Sequence, residues 1–312
     1  MLRATEAAAL AVGHWLGRGD KINARDAAER AMEEALRSMP FDGHIVADAA
    51  GAEGTMSRGH RVGVGRDPVD LAVNPVDGAS LVARGLSQAI SIAAAAEPGG
   101  IAPLPPCAYL HKLAVGPRAR GAVDISDTPE NNLRRIAFAM DVQVQDLTVS
   151  LLDRPRHQSL VERVRALGSR IVLISDGDVA GALMTAWPGS GVDVLIGSGG
   201  TAEAVIAACA LRCLGGEMQC RPWVRNQEES AALRAAGIDP EAQMGIGEMV
   251  PGADVAVAVT GITGGGLLRG VQYHHWWAET HSLVMRAQSG TVREIRTQHH
   301  VALDPEQAHR LI

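Results

Sequence analysis

Apolar residues recur over the first forty positions at the spacing of amphipathic helices. This spacing predicts one helix over residues 5–16 and a second over 24–39, separated by the polar segment 17–21. Short apolar runs bounded by polar, proline- or glycine-containing segments then predict strands over 44–47, 69–73 and 87–96, loops over 48–60 and 97–106, and a turn over 74–78.

From about residue 145 the chain alternates strand-like and helix-like segments. Strands are predicted over 147–152, 170–174 and 192–196, and helices over 158–167, 179–186 and 202–214. This alternation is typical of a mostly parallel sheet covered on both faces, in which ligands bind at the carboxyl ends of the strands. Further strands are predicted over 254–260 and 291–296.

Composition and charge limit the classes of function that this chain can have. The 312 residues predict two domains or one large layered domain, and the net charge of −6 without a basic arm argues against a nucleic-acid partner. No run of about 18 apolar residues appears, so we expect no transmembrane helix, and residues 1–15 lack the pattern of a leader peptide, so we expect mature protein. Four cysteines without a CxxC pair indicate buried free thiols in a reducing compartment rather than zinc ligands, so we expect a cytoplasmic protein.

Two polar segments follow predicted strands. Arg154-Pro155-Arg156-His157 carries two guanidiniums and an imidazole that can hold a phosphate, or it is simply a solvated helix start. Asp176-Gly177-Asp178 offers two carboxylates suited to sugar hydroxyls or a cation, although an aspartate there also caps a helix well.

Three further segments carry candidate chemistry. The glycines of residues 197–201, which precede Glu203, can present backbone N–H groups to an anion, although they form neither a GxGxxG nor a Walker A motif. The segment 273–281, YHHWWAETH, suggests a metal site, a stacking platform or a partner interface. Asn74-Pro75-Val76-Asp77-Gly78-Ala79 resembles the Asp-Pro-Ile/Leu-Asp-Gly-Thr/Ser signature of magnesium-dependent, lithium-sensitive sugar phosphatases.

Taken together, these segments resemble class II fructose-1,6-bisphosphatase over nearly the whole chain. The match also includes Gly17-Arg18-Gly19-Asp20-Lys21, Tyr109 with Lys112, and Thr260-Gly261-Ile262-Thr263. Lys21 and Lys112 are the two lysines among 29 basic residues, and both lie inside matching segments.

The resemblance implies an α/β protein with the layered αβαβα sugar-phosphatase fold. We expect an N-terminal α+β domain over 1–145 that carries the metal side, and a C-terminal α/β domain over 146–312 that carries the sugar-phosphate loops. The implied substrate-binding residues are Tyr109, Arg154, Arg156, His157, Asp176, Asp178, Gly199, Gly200 and Thr201.

The metal side departs from the family pattern. Where the family has aspartates, this chain has Arg25 and Asn74, and where the family has a threonine, it has Ala79. The family's Gly-Glu-Gly-Glu stretch is replaced by residues 48–51. Magnesium needs carboxylate oxygens, so we predict no metal or other cofactor, with Asp77 and Glu203 as the remaining candidate ligands. Arg25 would instead bind phosphate itself.

Three hypotheses follow for a cytoplasmic homo-oligomer, dimer or tetramer, that binds a phosphorylated sugar. The favoured one is a repurposed enzyme with metal-independent isomerase, epimerase or lyase chemistry. Its catalytic candidates are Asp20, Lys21, Asp77 and Glu203, with Asp178, His44 and His157 as further acid–base groups. The second is a non-catalytic sugar-phosphate-binding protein. The third is a magnesium-dependent phosphatase with ligands rebuilt from Asp48, Glu53, Asp77 and Glu203.

Overall fold

The computed structural model describes residues 1–49, 55–105 and 107–300. The helices within these ranges are α1 Leu2–Gly13, α2 Lys21–Arg37, α3 Ala79–Arg84, α4 Pro129–Met140, α5 Gln158–Ala166, α6 Asp178–Met184, α7 Thr201–Leu214, α8 Gln227–Ala235 and α9 Ile246–Met249. The strands are β1 Asp42–Asp48, β2 Arg61–Val62, β3 Pro68–Asp77, β4 Ile90–Ala96, β5 Tyr109–Val115, β6 Thr148–Leu152, β7 Arg170–Ile174, β8 Val194–Gly200, β9 Glu217–Pro222, β10 Met244–Gly245, β11 Val255–Gly261, β12 Gln272–Tyr273, β13 Trp277–Arg286 and β14 Thr291–His300.

The first sheet combines the two ends of the described chain. Its strands lie in the order β12-β13-β11-β4-β3-β1-β2, with β14 added on the outer side of β13. Strands β1 and β3 run parallel, whereas the other neighbours are antiparallel. The predicted turn over 74–78 is in fact the end of β3. A bulge between Asn74 and Asp77 accommodates Pro75, which cannot donate a ladder hydrogen bond.

The second sheet has the order β10-β9-β5-β8-β6-β7. Strand β6 runs parallel to β7 and to β8, but β5 is antiparallel to both β8 and β9. The expectation of a mostly parallel sheet was therefore wrong. Strand–helix alternation describes only the segment from β6 to β8. Outside that segment, β5 and β10 run opposite to β8, and β9 runs in the direction of β8 but pairs with β5 and β10.

The layers follow the order helix, sheet, helix, sheet, helix, which confirms the αβαβα prediction. Helices α1 and α2 cover one face of the first sheet, α6 and α7 lie between the sheets, and α4 and α5 cover the outer face of the second sheet. Three apolar clusters in the described ranges join these layers: one under α1 and α2, one around α6 and α7 that reaches both sheets, and one under α4 and α5. They are built mainly from alanine, valine, leucine and isoleucine.

The second sheet is built from a continuous stretch between β5 and β10, after which the chain returns to the first sheet through β11. The predicted boundary near residue 145 falls between β5 and β6, and the two-domain division stays a prediction. None of the helices in the described ranges is long and apolar enough to cross a bilayer. The four cysteines are buried free thiols.

Candidate sugar-phosphate site

The candidate residues converge where the two sheets face each other across α6. Strand β3 ends at Asp77, and the β7–α6 connection carries Asp176 and Asp178. Two backbone hydrogen bonds join these parts: Ala180 N–H donates to Asp77 Oδ2 at 3.0 Å, and Ser80 N–H donates to Asp176 Oδ2 at 3.1 Å. The three aspartates, far apart in sequence, therefore belong to one site.

A buried ion pair lies at the centre of this site. Lys112 Nζ donates to Asp178 Oδ2 at 2.6 Å, and the lysine side chain is 3% exposed. Burial alone would lower the pKa of Lys112, but the charges of Asp178 and Glu203 outweigh burial and raise that pKa. Lys112 is thus a fixed cation that holds carboxylates in place.

The glycines between β8 and α7 lie directly against these carboxylates. A Cβ at Gly199 would overlap Asp178 Oδ2 and lie 2.9 Å from Lys112 Nζ, and a Cβ at Gly200 would overlap Glu203. Gly200 is the N-cap of α7, and Glu203 stands in the first turn of that helix. Burial, followed by the charge of Asp178, raises the pKa of Glu203, while Lys112 opposes this shift.

Asn74 and Asp77 form the third part of the site. Both side chains are buried, and Asn74 Nδ2 donates to Asp77 Oδ1 at 3.3 Å. Burial and the neighbouring charge of Asp178 raise the pKa of Asp77 well above its usual range. A protonated Asp77 can act as a hydrogen donor as well as an acceptor.

These donors do not suit the magnesium ion that the resemblance implies. Both Asp77 oxygens already accept hydrogen bonds, one of them from the amide that stands where the signature has a carboxylate. Asp178 is paired with Lys112. Within the described ranges, no three histidine, cysteine, aspartate or glutamate side chains converge as metal ligands. Asp48 is half-buried and accepts a hydrogen bond from Arg58 N–H, and Glu53 lies outside the described residues.

The phosphate-binding candidates lie at the carboxyl end of β6. Arg156 Nε donates to Ser198 Oγ and its Nη2 to Ser198 O, both at 2.9 Å. Arg154 donates through Nη1 to Ser175 O at 2.8 Å. Both guanidiniums are therefore oriented by backbone groups of neighbouring strand ends, which supports the phosphate interpretation over a freely solvated helix start.

His157 and Thr201 are held within the protein. Ser198 N–H donates to His157 Nε2 at 2.9 Å, so the other ring nitrogen carries the hydrogen and donates to Leu152 O at 2.7 Å. Burial lowers the pKa of His157, which favours this neutral form. Thr201 Oγ1 donates to Cys107 O at 2.6 Å. Each of these side chains supports the loops on which the arginines and glycines lie.

The candidates of the first motif lie on α2. Asp20 caps this helix, because its Oδ1 accepts from Asn23 N–H at 3.0 Å, and this cap explains why the helix begins at Lys21 rather than at residue 24. Lys21 is exposed and makes no hydrogen bond or ion pair within the described ranges. Arg25 is half-buried and lies one helical turn before Glu29. Burial raises the pKa of Glu29, and the charge of Arg25 opposes this shift.

Two residues that sequence reasoning missed complete the arginine side. Trp223 and Arg225 follow β9, and Trp223 N–H donates to Tyr109 O at 3.0 Å. The Arg156 guanidinium lies 5.2 Å from the Trp223 ring, and that of Arg225 lies 5.1 Å from the Tyr109 ring. Their sequence signal was a tryptophan and an arginine directly after a strand.

Two other features lie outside this site. In the segment 273–281, the His274 and Trp277 rings stack 3.8 Å apart on the β12–β13 hairpin, where Trp276 is 55% exposed. A polar cavity of about 870 Å³ lies beside β9, β10 and the end of α7, lined among others by Arg120, Arg212 and Glu248. It contains none of the predicted site residues, so we assign the site from the converging side chains rather than from cavity size.

The layered fold, with these loops between its two sheets, defines an α/β protein of the sugar-phosphatase type. The family model described as bacterial fructose-1,6-bisphosphatase, glpX-encoded, matches residues 1–299, and the chain belongs to this family. Fructose-1,6-bisphosphatase 1 class 2 of Escherichia coli (strain K12) is 38% identical over 325 residues, which cover 97% of this chain and 95% of the relative.

Two cyanobacterial relatives give the same result. The D-fructose 1,6-bisphosphatase class 2/sedoheptulose 1,7-bisphosphatase proteins of Synechococcus sp. strains JA-2-3B'a(2-13) and JA-3-3Ab are each 37% identical over 331 residues. The alignments cover 96% of this chain and 94% of each relative. The sequence-based assignment to class II fructose-1,6-bisphosphatase is confirmed.

Proposed function

We propose that this family member binds a phosphorylated sugar between Arg154, Arg156, Tyr109 and the Gly199-Gly200 loop, and that it has lost magnesium-dependent phosphatase chemistry. The observation that carries the proposal is the hydrogen bond from Asn74 to Asp77, in which an amide fills the place of a metal-binding carboxylate. The names of the relatives point to ketose bisphosphates as the substrate class.

Phosphate binding is supported by the arginine geometry. Ser198 accepts from Nε and from Nη2 of Arg156, and within the described ranges no protein group accepts from its Nη1. A guanidinium fixed on one edge presents its remaining N–H groups to an anion with little loss of entropy. Arg154 is held through Nη1, which donates to Asp153 O and to Ser175 O, so both guanidiniums have fixed positions before a ligand binds.

Sugar binding is supported by the acidic residues beside the arginines. Asp176 accepts from Ser80 N–H through Oδ2 and from Gly177 N–H through Oδ1, and Asp178 is held by Lys112 through Oδ2, so both carboxylates are fixed in position. Carboxylates so placed can accept hydrogen bonds from sugar hydroxyls. Gly200, at the half-buried end of β8, has no side chain, so a ligand can approach its backbone closely.

The proposed loss of metal chemistry is supported by added positive charge as well as by the missing carboxylate ligands. Arg25 replaces a family aspartate, which removes a negative ligand and adds a positive charge on α2. Arg25 is proposed to contribute to phosphate binding in place of a cation. Lys112, already inside the site, supplies a resident positive charge to the carboxylate cluster.

We further propose that the retained acids serve metal-independent proton transfer. Asp77 and Glu203 are the two carboxyl groups of the site with raised pKa values, and a carboxyl group with a raised pKa can hold a proton and donate it in general acid catalysis. Proton transfer next to a carbonyl or hydroxyl is what isomerisation, epimerisation or elimination of a sugar phosphate requires. Asp20 and Lys21, which lie on α2, are proposed only as secondary candidates.

The test is a panel of sugar mono- and bisphosphates incubated with purified protein, with magnesium and with a chelator. Phosphate release and sugar isomers are read in the same samples. We expect sugar rearrangement or elimination that the chelator does not affect. Phosphate release abolished by the chelator would support a rebuilt phosphatase, and binding without turnover would support a non-catalytic protein.

The binding site is tested by calorimetry with fructose 1,6-bisphosphate. Arg156→Ala should weaken binding by about tenfold to a hundredfold, since a hydrogen bond to a charged group contributes about 1.5–3 kcal/mol. Arg163→Ala is the matched control, because Arg163 pairs with Glu130 on the outer helical layer. Equal affinity of wild type and Arg156→Ala would reject the pocket.

A further inference from the structure

The Arg156 guanidinium lies in a corner formed by two aromatic rings. Its Cζ is 5.4 Å from the centroid of Tyr109 and 5.2 Å from that of Trp223. The two rings are 5.6 Å apart and inclined by 58°. Tyr109 is a residue expected to bind substrate, whereas Trp223 was not indicated by the resemblance.

The position of Trp223 is fixed by the fold. The residue follows the last residue of β9, Pro222, which lies opposite Leu110 on β5. The hydrogen bond from Trp223 N–H to Tyr109 O extends this pairing by one step. The spacing of the two rings is therefore set by the pairing of β5 with β9.

A second arginine also lies over Tyr109. The Arg225 guanidinium is 5.1 Å from that ring, but its Nε donates to Glu229 Oε1 at 2.9 Å and its backbone N–H to Glu229 Oε2 at 2.9 Å. The charge of Arg225 is therefore paired with a carboxylate. Arg156 donates to the neutral groups of Ser198 and forms no ion pair within the described ranges, so its charge stays available for an anionic ligand.

The rings also stabilise the charge of Arg156 beside that of Arg154. Burial and then the charge of Arg154 lower the pKa of Arg156, so its surroundings oppose its charge. The electron-rich faces of Tyr109 and Trp223 offset that opposition. Ser198 holds the opposite edge of the group, and His157 in turn holds Ser198.

We propose that Trp223 is a positioning residue that acts through Arg156, holding its guanidinium in the orientation in which Nη1 faces the phosphate of the sugar. This inference rests on the proposed function, since it requires Arg156 to bind phosphate. Trp223 has no part in proton transfer and need not touch the sugar.

The test is a double-mutant cycle read by calorimetry with fructose 1,6-bisphosphate in the presence of a chelator. Trp223→Leu should weaken binding by about twofold to fivefold, the range of a cation–π contact with an exposed guanidinium. Trp223→Phe should restore most of the affinity because it keeps a ring face. In the Arg156→Ala background, Trp223→Leu should have no further effect. Melting temperatures verify that each variant is folded.

The outcomes separate the two proposals. Unchanged affinity in Trp223→Leu, or an equal loss with and without Arg156, would overturn the positioning role while leaving the phosphate site intact. A similar loss in Trp223→Phe and Trp223→Leu would also overturn it, because a ring face would then be irrelevant. A wild-type protein that does not bind the bisphosphate would overturn the proposed function and this inference with it.

Discussion

Lys112 and Asp178 form an ion pair with 2.6 Å between Nζ and Oδ2, and both side chains are less than one-tenth exposed. The lysine comes from β5 and the aspartate from the first residue of α6, so the pair joins two elements across the site. Two charges buried together depend on each other, because neither is solvated by water.

Removing one partner should therefore be costly. Lys112→Met should lower the free energy of unfolding by about 3–5 kcal/mol, the loss typical of a buried charge left alone. Lys112→Met combined with Asp178→Asn should recover part of that loss, because the uncompensated carboxylate is then neutral. Urea denaturation measures both effects. Arg286→Met, which breaks the exposed pair with Asp254, is the control and should change stability far less. The prediction would be contradicted if Lys112→Met alone and Lys112→Met with Asp178→Asn lowered the free energy of unfolding equally.

The two glycines before α7 should respond differently to alanine. A Cβ at Gly199 meets the locked carboxylate of Asp178, so Gly199→Ala should destabilise the protein by about 1–3 kcal/mol and weaken sugar-phosphate binding. A Cβ at Gly200 meets Glu203, a longer side chain that can rotate away, so Gly200→Ala should cost much less stability. Thermal melting of the two variants side by side tests this contrast, and a reversed order would refute it.

The metal prediction concerns Asn74. We expect no magnesium-stimulated release of phosphate from fructose 1,6-bisphosphate by the wild type, and none by Asn74→Asp. One added carboxylate cannot rebuild a magnesium site while Arg25 remains and Asp77 accepts from Ala180 N–H. The E. coli relative named above serves as the positive control in the same phosphate assay. Turnover of the wild type at a comparable rate, abolished by a chelator, would disprove this expectation.

The pH prediction concerns His157. The pKa of this ring is lowered by burial, so below about pH 6.5 the unfolded chain takes up a proton more readily than the folded one. Stability from the neutral ring is therefore present above that pH and is lost as the pH falls toward the folded pKa. His157→Gln should reduce the slope of the unfolding free energy between pH 7.5 and 5.5, measured with urea. The exposed His44→Gln is the control, and an unchanged slope in His157→Gln would count against the prediction.

Local patterns were sufficient for much of the second sheet. The strand predicted over 170–174 has the bounds of β7, and the helix predicted over 202–214 differs from α7 by one residue. These segments combine clear periodicity with polar or glycine boundaries, so their structure depends mainly on nearby residues. The residues that converge on the site were also predictable, because strand ends with polar loops mark ligand sites in such sheets.

Pairing between distant segments was not predictable in the same way. The glycines of residues 197–200 suggested a loop, yet they extend β8 because β5 pairs with them up to Tyr109 and Gly200. The contacts of Trp223 with Arg156 depend on β9 lying beside β5, which no local pattern indicates. Proton-transfer roles for Asp77 and Glu203 and the homo-oligomer stay predictions.

The pairing of β4 with β11 has a consequence for synthesis and refolding. Ala94 lies opposite Val257, so the centre of the first sheet closes only after the whole second sheet has emerged from the ribosome. Until then, β4 is an almost wholly apolar strand with an open edge, and such edges recruit other chains. Contacts over so long a separation form slowly. The nascent protein should therefore depend on dilution or a chaperone during this interval, and its yield on refolding should fall as its concentration rises.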